Sequence, residues 1–214
     1  MKLADDPARD YKRLVIDGYD RCAADFNSER VTEAADALAP LMARLPDGAR
    51  VLDLGCGTGV PVARTLSDRF DVVGADISAS QLSLARRQAP GVALLRGDME
   101  RLHFSPSSFN AVVSFYAVFH LPREQQPDLF SRMLTWLRPG GYALVSLGRT
   151  NEPAYTEDFF GVEMYWSHYG TAQYREMLIE AGFELIEEQI LDHGYNDDRA
   201  PIERHPLFFM RKPL

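Results

Sequence analysis

From residue 50 onward, short and nearly continuous apolar runs alternate with stretches whose apolar positions recur every three or four residues. The runs are Arg50–Leu54, Phe70–Ala75, Val92–Arg96, Ala111–Phe115 and Tyr142–Leu147; the amphipathic stretches are Val60–Ser67, Ala79–Gln88 and Arg123–Leu137. Continuous runs predict strands buried on both faces, and the longer spacing predicts helices with one apolar face. Pro139-Gly140-Gly141 marks the stop after the last of these helices. Upstream, residues 7–26 read as a helix carrying Leu14, Val15, Tyr19, Cys22 and Phe26. Residues 32–45 read as a second helix with Ala35, Leu38, Leu41, Met42 and Leu45, ended by Pro46-Asp47-Gly48. After Thr171–Ala181, again helical, Glu184–Leu191 and Leu207–Lys212 read as two strands joined by a polar loop. The predicted fold is α/β and doubly wound: a mostly parallel seven-stranded sheet, antiparallel at its last strand, with helices on both faces.

A chain of 214 residues fits one domain. Its expected parts are N-terminal helices (1–45), a core (50–147), a covering segment (148–170), and a closing helix with antiparallel strands (171–214). No apolar run reaches the roughly 18 residues of a membrane span, and Met1 to Asp6 lack a signal-peptide apolar region. The two cysteines, Cys22 and Cys56, give no disulfide framework, so the expectation is a cytoplasmic protein. A net charge of −8 disfavours a nucleic-acid partner, and a monomer or homodimer is expected. Asp192-His193-Gly194-Tyr195-Asn196-Asp197-Asp198 reads as an exposed turn, and no metal site is expected there or elsewhere.

Candidate chemistry begins after the first strand of the core. Asp53-Leu54-Gly55-Cys56-Gly57-Thr58-Gly59 turns from strand to helix, and its glycines let backbone N–H groups approach a ligand. A dinucleotide fingerprint would place its third glycine at position 60, where this chain has Val60; the loop has instead the compact Gly-x-Gly-x-Gly form with an acid ahead of it. Asp76 closes the next strand, at the distance and place suited to ribose hydroxyls, unless it merely caps the following helix. Asp98 follows the third strand, where a carboxylate can accept from an adenine amine. Cys56 reads as a small residue and not as a nucleophile.

On Val51–Gly59, Val73–Ser78 with Gln81, Gly97-Asp98-Met99, Phe109–Ser114 and Leu137–Gly141, the chain resembles the Rossmann-like class I S-adenosylmethionine-dependent methyltransferases over residues 50–147. The resemblance implies S-adenosyl-L-methionine as cofactor, S-adenosyl-L-homocysteine as product, and a small-molecule methyl acceptor. It places Asp53, Gly55 and Gly57 at the methionyl part, Asp76 and Ile77 at ribose and adenine, Asp98 and Met99 around adenine, and Ser114 near the amino-acid moiety. Cys56, Gly59 and Gln81 belong to the same expected cofactor set. Tyr19 matches a tyrosine of the family's N-terminal helix that approaches the methionine end. Phe26 stands where the family usually has Tyr, so a hydroxyl contact is lost there.

Methyl transfer from a sulfonium is an in-line displacement that needs proximity, alignment and, for some acceptors, a base. Tyr116, His120 and His168 are the candidates for that work. His120 read structurally would pack at a helix start, and the resemblance does not decide between the two roles. Tyr155, Phe159, Phe160, Met164, Tyr165, Trp166, His168 and Tyr169 suggest a substrate cover with an aromatic-lined pocket, or else a hydrophobic plug. Ser114-Phe115-Tyr116-Ala117 departs from the Asn/Asp-Pro-Pro-Tyr motif of amino-group methylases acting on adenine or glutamine. No cysteine follows proline, and no acid cluster of the catechol type assembles. The first expectation is an enzyme methylating oxygen or nitrogen of a small metabolite. The alternatives are a cofactor-binding protein that does not methylate and, less consistent with Val60 and the loop's leading acid, a nicotinamide dehydrogenase.

Overall fold

A computed structural model describes residues 10–32, 34–195 and 203–214. Its main sheet runs in the order β1-β9-β10-β6-β5-β2-β3-β4. The strands are β1 (Arg30–Thr32), β2 (Arg50–Leu54), β3 (Asp71–Asp76), β4 (Ala93–Arg96), β5 (Phe109–Ser114), β6 (Leu137–Ser146), β9 (Glu184–Tyr195) and β10 (Glu203–Arg211). β2 pairs in parallel with β3 and β5, β3 with β4, and β5 with β6; β10 pairs antiparallel with β6 and β9. All seven expected strands form, and the short β1 adds an eighth at the edge, antiparallel to β9.

Alternate side chains of the sheet feed two cores. Val51, Val72, Ala111, Val113, Leu144 and Phe209 pack towards α3 (Val62–Ser67) and the 34–45 segment. Leu52, Ala75, Val112, Val145, Phe208 and Met210 pack towards α5 (Gln126–Trp136) and α6 (Thr171–Glu180). This period-two division is what buries the strands on both faces. After β4 the chain crosses back and adds β5 on the other side of β2. The crevice at their carboxyl ends is the switch point where open α/β sheets bind ligands.

Several expectations need correction. Residues 32–45 are not one helix: Thr32 belongs to β1, Asp36–Leu38 form a 3-10 turn, and the helix proper is α2, Ala39–Met42. Pro40, which lacks an N–H and clashes with the preceding turn, suits the start of a helix and not its middle. Of the expected apolar stripe, Leu38, Leu41 and Leu45 are buried, while Ala35 and Met42 are half-buried. Pro139-Gly140-Gly141 does not separate helix from strand, since α5 ends at Trp136 and β6 runs through all three residues. Asp192 to Tyr195 continue β9, while positions 196–198 of the expected turn lie outside the described residues. So do positions 7–9 of the first helix, α1, which spans Tyr11–Glu29. No described helix is long and apolar enough to cross a membrane.

The segment after β6 forms a separate hairpin, β7 (Glu152–Phe159) with β8 (Val162–His168). It packs on α1: Val162, Met164 and Tyr165 share a cluster with Val15, Cys22 and Phe26. Gly18 is what lets the two approach, since a Cβ there would lie 2.8 Å from the Met164 methyl. Gln126 ties the hairpin to the sheet. Its buried amide donates to Val118, Leu121 and Ser167 carbonyls at 3.3, 2.8 and 2.9 Å, and the Tyr174 hydroxyl donates to its Oε1 at 2.6 Å.

Candidate cofactor and catalytic site

One cavity opens at the switch point, with about 1020 Å³ of empty space, part of it continuous with solvent. Its floor is the turn after β2. Gly55, Gly57 and Gly59 all have left-handed backbone, with φ of 79°, 54° and 79°. The Gly55 and Cys56 N–H groups donate to Ala75 O, which pins the turn to the end of β3. Gly59 faces away from the cavity, where a Cβ would lie 3.1 Å from Ala89 and 3.3 Å from Ala85 of α4 (Ala79–Gln88). Its role is therefore close helix packing. Cys56 fills space against Gly74, and burial, with the carboxylates of Asp76 and Asp53 nearby, pushes its thiol well up, so it is not a nucleophile.

The three acids converge on this cavity. Asp53 is buried at the end of β2. Asp76 accepts from Gly57 N–H at 2.8 Å and Ser78 N–H at 2.9 Å. Burial pushes its carboxyl up, and those two N–H groups oppose the shift. Asp76 is not the helix cap: Ser78 is, its hydroxyl accepting from Gln81 N–H at 3.1 Å. Asp98 accepts from Glu100 N–H at 2.9 Å and pairs with Lys12 at 2.9 Å; Lys12 also pairs with Glu100. Ile77, Met99 and Gln81 complete this half. Gln81 Oε1 is buried with no hydrogen-bond partner among the described residues. Ser114 is buried but turned into the fold, donating to Leu54 O at 2.7 Å.

The other half lies beside α1. His120, in the 3-10 turn Val118–His120 beyond β5, has Nδ1 2.8 Å from Tyr165 O and Nε2 2.8 Å from the Tyr19 hydroxyl. A carbonyl only accepts, so Nδ1 carries the proton and Nε2 accepts from Tyr19. Burial pushes the imidazolium down to about 4, so the ring is neutral at pH 7. Tyr116 also lines the cavity, with a left-handed φ of 56° and its N–H donated to Ser146 Oγ at 2.7 Å. His168 does not reach it; its Nδ1 meets Thr150 O at 2.5 Å and Nε2 lies 3.5 Å from the Tyr155 hydroxyl. No side chain of the β7–β8 hairpin lines the cavity. The aromatic segment braces α1 and His120 and does not cover the pocket directly.

Sequence reasoning missed Tyr11, Lys12 and Asp20. The Tyr11 hydroxyl donates to Glu100 Oε2 at 3.2 Å, and Asp20 accepts from the Ser78 hydroxyl at 2.5 Å and Ser80 N–H at 3.0 Å. These bonds fasten α1 across the cavity mouth. No periodicity marked them, since Lys12 shares the face of α1 that carries Val15, Tyr19 and Phe26 and lines the cavity with them.

The buried neutrality of His120 has a consequence for stability. The unfolded ring takes its proton near 6.5 and the folded one near 4, so between those values the unfolded state binds more protons. Stability from this group is complete above pH 6.5 and falls as pH drops, by at most about 3 kcal/mol. Urea unfolding at pH 5 and 7.5 should show the loss, and His120→Gln should flatten it.

Residues 51–141 match the family described as "Methyltransferase domain". The chain is 36% identical over 116 residues to a demethylmenaquinone methyltransferase of Beutenbergia cavernae, covering 53% of this chain and 47% of that protein. It is 30% identical over 141 residues to a dTDP-3-amino-3,6-dideoxy-alpha-D-glucopyranose N,N-dimethyltransferase of Streptomyces fradiae, covering 65% and 55%. The chain thus spans about half the length of these relatives. Its fold matches the crystal structure of the Burkholderia thailandensis 1,6-didemethyltoxoflavin-N1-methyltransferase, with a TM-score of 0.72 at 20% identity over 99% of this chain and 94% of that one. With the glycine turn, its three acids and the sheet order, these matches show that residues 51–141 are a methyltransferase domain and that the chain has the fold of a solved methyltransferase.

Proposed function

We propose that this protein transfers a methyl group from S-adenosylmethionine to an oxygen or nitrogen of a small metabolite. The observation that carries the reading is one cavity that joins the glycine turn and its acids to a tautomer-fixed Tyr19–His120 pair.

The residues present fit the cofactor. Gln81 Oε1 is a buried acceptor awaiting a donor, and a Cβ on Gly57 would point towards it at 3.6 Å, into space the turn keeps clear. Asp53 and the loop glycines would hold the methionyl part, Asp76 with Ile77 the ribose, and Asp98 with Met99 the adenine amine. When bound, the sulfonium supplies an electrophilic methyl group. The chain's own work is to orient the acceptor and take its proton. As the acceptor heteroatom gains a bond to carbon, its own proton becomes strongly acidic, and a weak base suffices to take it. Tyr19 accepts that proton while passing its own to His120 Nε2, and Tyr165 O stabilises the imidazolium through Nδ1–H. Tyr116 shapes the wall beside them. His168, held outside the cavity, keeps a supporting place under this reading.

Asp76→Ala is expected to weaken cofactor binding by about 1–3 kcal/mol, the loss of hydrogen bonds to a charged group. Calorimetry measures it, and an unchanged dissociation constant would leave Asp76 only the task of holding Gly57 and Ser78. The function itself is tested with methyl-labelled cofactor and a metabolite extract. Label appearing in a metabolite supports it; cofactor bound and retained intact would favour the non-methylating alternative. We further propose, from the excess of acids and the free cysteines, a cytoplasmic enzyme that does not act on nucleic acid.

A further inference from the structure

Helix α1 crosses the cavity with Lys12, Val15, Tyr19 and Phe26 on its inner side. At the end assigned to adenine, the Lys12 ammonium meets Asp98 Oδ2 at 2.9 Å and bridges it to Glu100. The Tyr11 hydroxyl donates to Glu100 Oε2 at 3.2 Å, and the Tyr11 ring rests against Tyr165 with centroids 5.3 Å apart. Glu100 and Tyr11 thus steady the ammonium on one side, and Asp98 receives it on the other. Burial disfavours the Lys12 cation, but hydrogen bonds to Glu100 and Asp98 outweigh that and push its pKa up.

Asp98 is thereby held at both oxygens. Its Oδ1 accepts from Glu100 N–H at 2.9 Å, and its Oδ2 accepts from Lys12. Two such bonds set the plane of the carboxylate, and they leave lone pairs over, since an ionised carboxyl has about four acceptor sites. Asp98 and Glu100 are also like charges sharing one ammonium. Without Lys12 they repel, and the Asp98 side chain is free to turn. An ion pair on an open surface contributes little, because water and salt screen it. Here the Lys12 and Asp98 side chains are only 22% and 19% exposed, and both line the cavity. A purine filling that end would take water from the pair and strengthen it. We propose that Lys12 is a positioning residue for the cofactor: from α1 it aims the Asp98 carboxylate at the adenine amine and closes that end of the cavity. This inference rests on the methyl-transfer reading, through its cofactor, and adds to it a residue that acts through Asp98.

Lys12 can be replaced without undoing α1. The helix stays packed on the hairpin through Val15, Cys22 and Phe26. Asp20 also ties it to α4, accepting from the Ser78 hydroxyl at 2.5 Å and Ser80 N–H at 3.0 Å.

The test is calorimetry of the full-length protein with S-adenosylhomocysteine, which requires no knowledge of the acceptor. Lys12→Met is expected to weaken binding about fivefold at about 50 mM NaCl, the upper range for a partly exposed pair. At about 500 mM, where screening acts over a few ångströms, the gap between variant and wild type should close to about twofold or less. In an Asp98→Asn background, Lys12→Met should likewise cost no more than about twofold, because no carboxylate is left to aim. Lys12→Gln, uncharged but still polar, should repeat these results, and it decides the matter if Lys12→Met does not fold. Wild-type affinity in both Lys12 variants overturns the proposal and leaves the function standing. So does an equal loss with and without the Asp98 carboxylate, which would make Lys12 a strut of α1 and nothing more. Failure of S-adenosylhomocysteine to bind the wild-type protein would overturn the function and this inference together.

Discussion

His120→Gln is expected to lower kcat for methyl transfer by about 10²–10⁴-fold while leaving the cofactor's dissociation constant within a fewfold of wild type. Glutamine can still donate to Tyr165 O and accept from Tyr19, so the two hydrogen bonds of the imidazole have substitutes. What it lacks is the ability to accept a proton at neutral pH. The variant therefore separates proton transfer from positioning, which His120→Ala would confuse by leaving a cavity and an unsatisfied carbonyl. Single-turnover rates with labelled cofactor measure the effect. A rate within threefold of wild type would reduce His120 to a post that orients Tyr19, and the enzyme would then work by proximity alone. The pH profile supplies a second readout. Because the buried ring stays neutral down to about pH 4, wild-type kcat should not fall with protonation of His120 between pH 7 and 5.5.

The second large effect is expected from Gly55→Ala. Gly55 has a φ of 79°, and a Cβ there would lie 2.3 Å from the Ala117 Cβ. The left-handed backbone alone costs a non-glycine residue about 1–2 kcal/mol. The overlap adds to it, since Ala117 has no longer side chain to swing away. Together the destabilisation should reach about 3 kcal/mol or more, and the displaced turn should lower cofactor affinity over a hundredfold. Gly48 is the control, for it has a φ of 74° with nothing within 4 Å of its added Cβ. Gly48→Ala should cost only the backbone term. Adding Ala117→Gly to Gly55→Ala should return part of the lost stability and affinity. A Gly55→Ala protein as stable as Gly48→Ala would mean that the turn relaxes at little cost.

The sheet and half of the cavity were legible in the sequence for a definite reason. A strand buried on both faces has few ways to be written, and Val51-Leu52, Val72-Val73 and Val112-Val113 each mark one without ambiguity. Helices α4 and α6 were placed within a residue because one is capped by Ser78 and the other begins at Gly170, with Pro90-Gly91 and Gly182 just past their far ends. The glycines and the acids at strand ends were readable because their function depends on local sequence position. Residues 32–45 misled because apolar spacing reports which residues are buried, not which helix buries them. A 3-10 turn followed by one α-helical turn buries Leu38, Leu41 and Leu45 as well as a longer helix would.

What the sequence did not show was contact between distant segments. The aromatic residues at 155–169 announced a hydrophobic surface without saying which side it faced, and the hairpin spends them on α1. His120 and His168 could not be ranked from sequence, because each is a buried histidine beside tyrosines. The structure separates them by one fact: Tyr19 reaches the first and not the second. Lys12 and Asp20 carried no motif at all, being ordinary charges on a helix until the fold set them against Glu100 and Ser78.

The tautomer of His120 is set by a main-chain carbonyl, that of Tyr165, and not by a side chain. Every amino acid brings the same carbonyl, so position 165 can mutate freely in this respect while His120 keeps its proton on Nδ1. The hairpin's length is not free in the same way, because a one-residue slip of β8 would turn that carbonyl away and present an N–H in its place. A lineage of such proteins could therefore rewrite the hairpin's residues to suit new neighbours while its spacing stayed locked. Insertions there, and not substitutions, are the changes that would free the His120 ring from this tautomer.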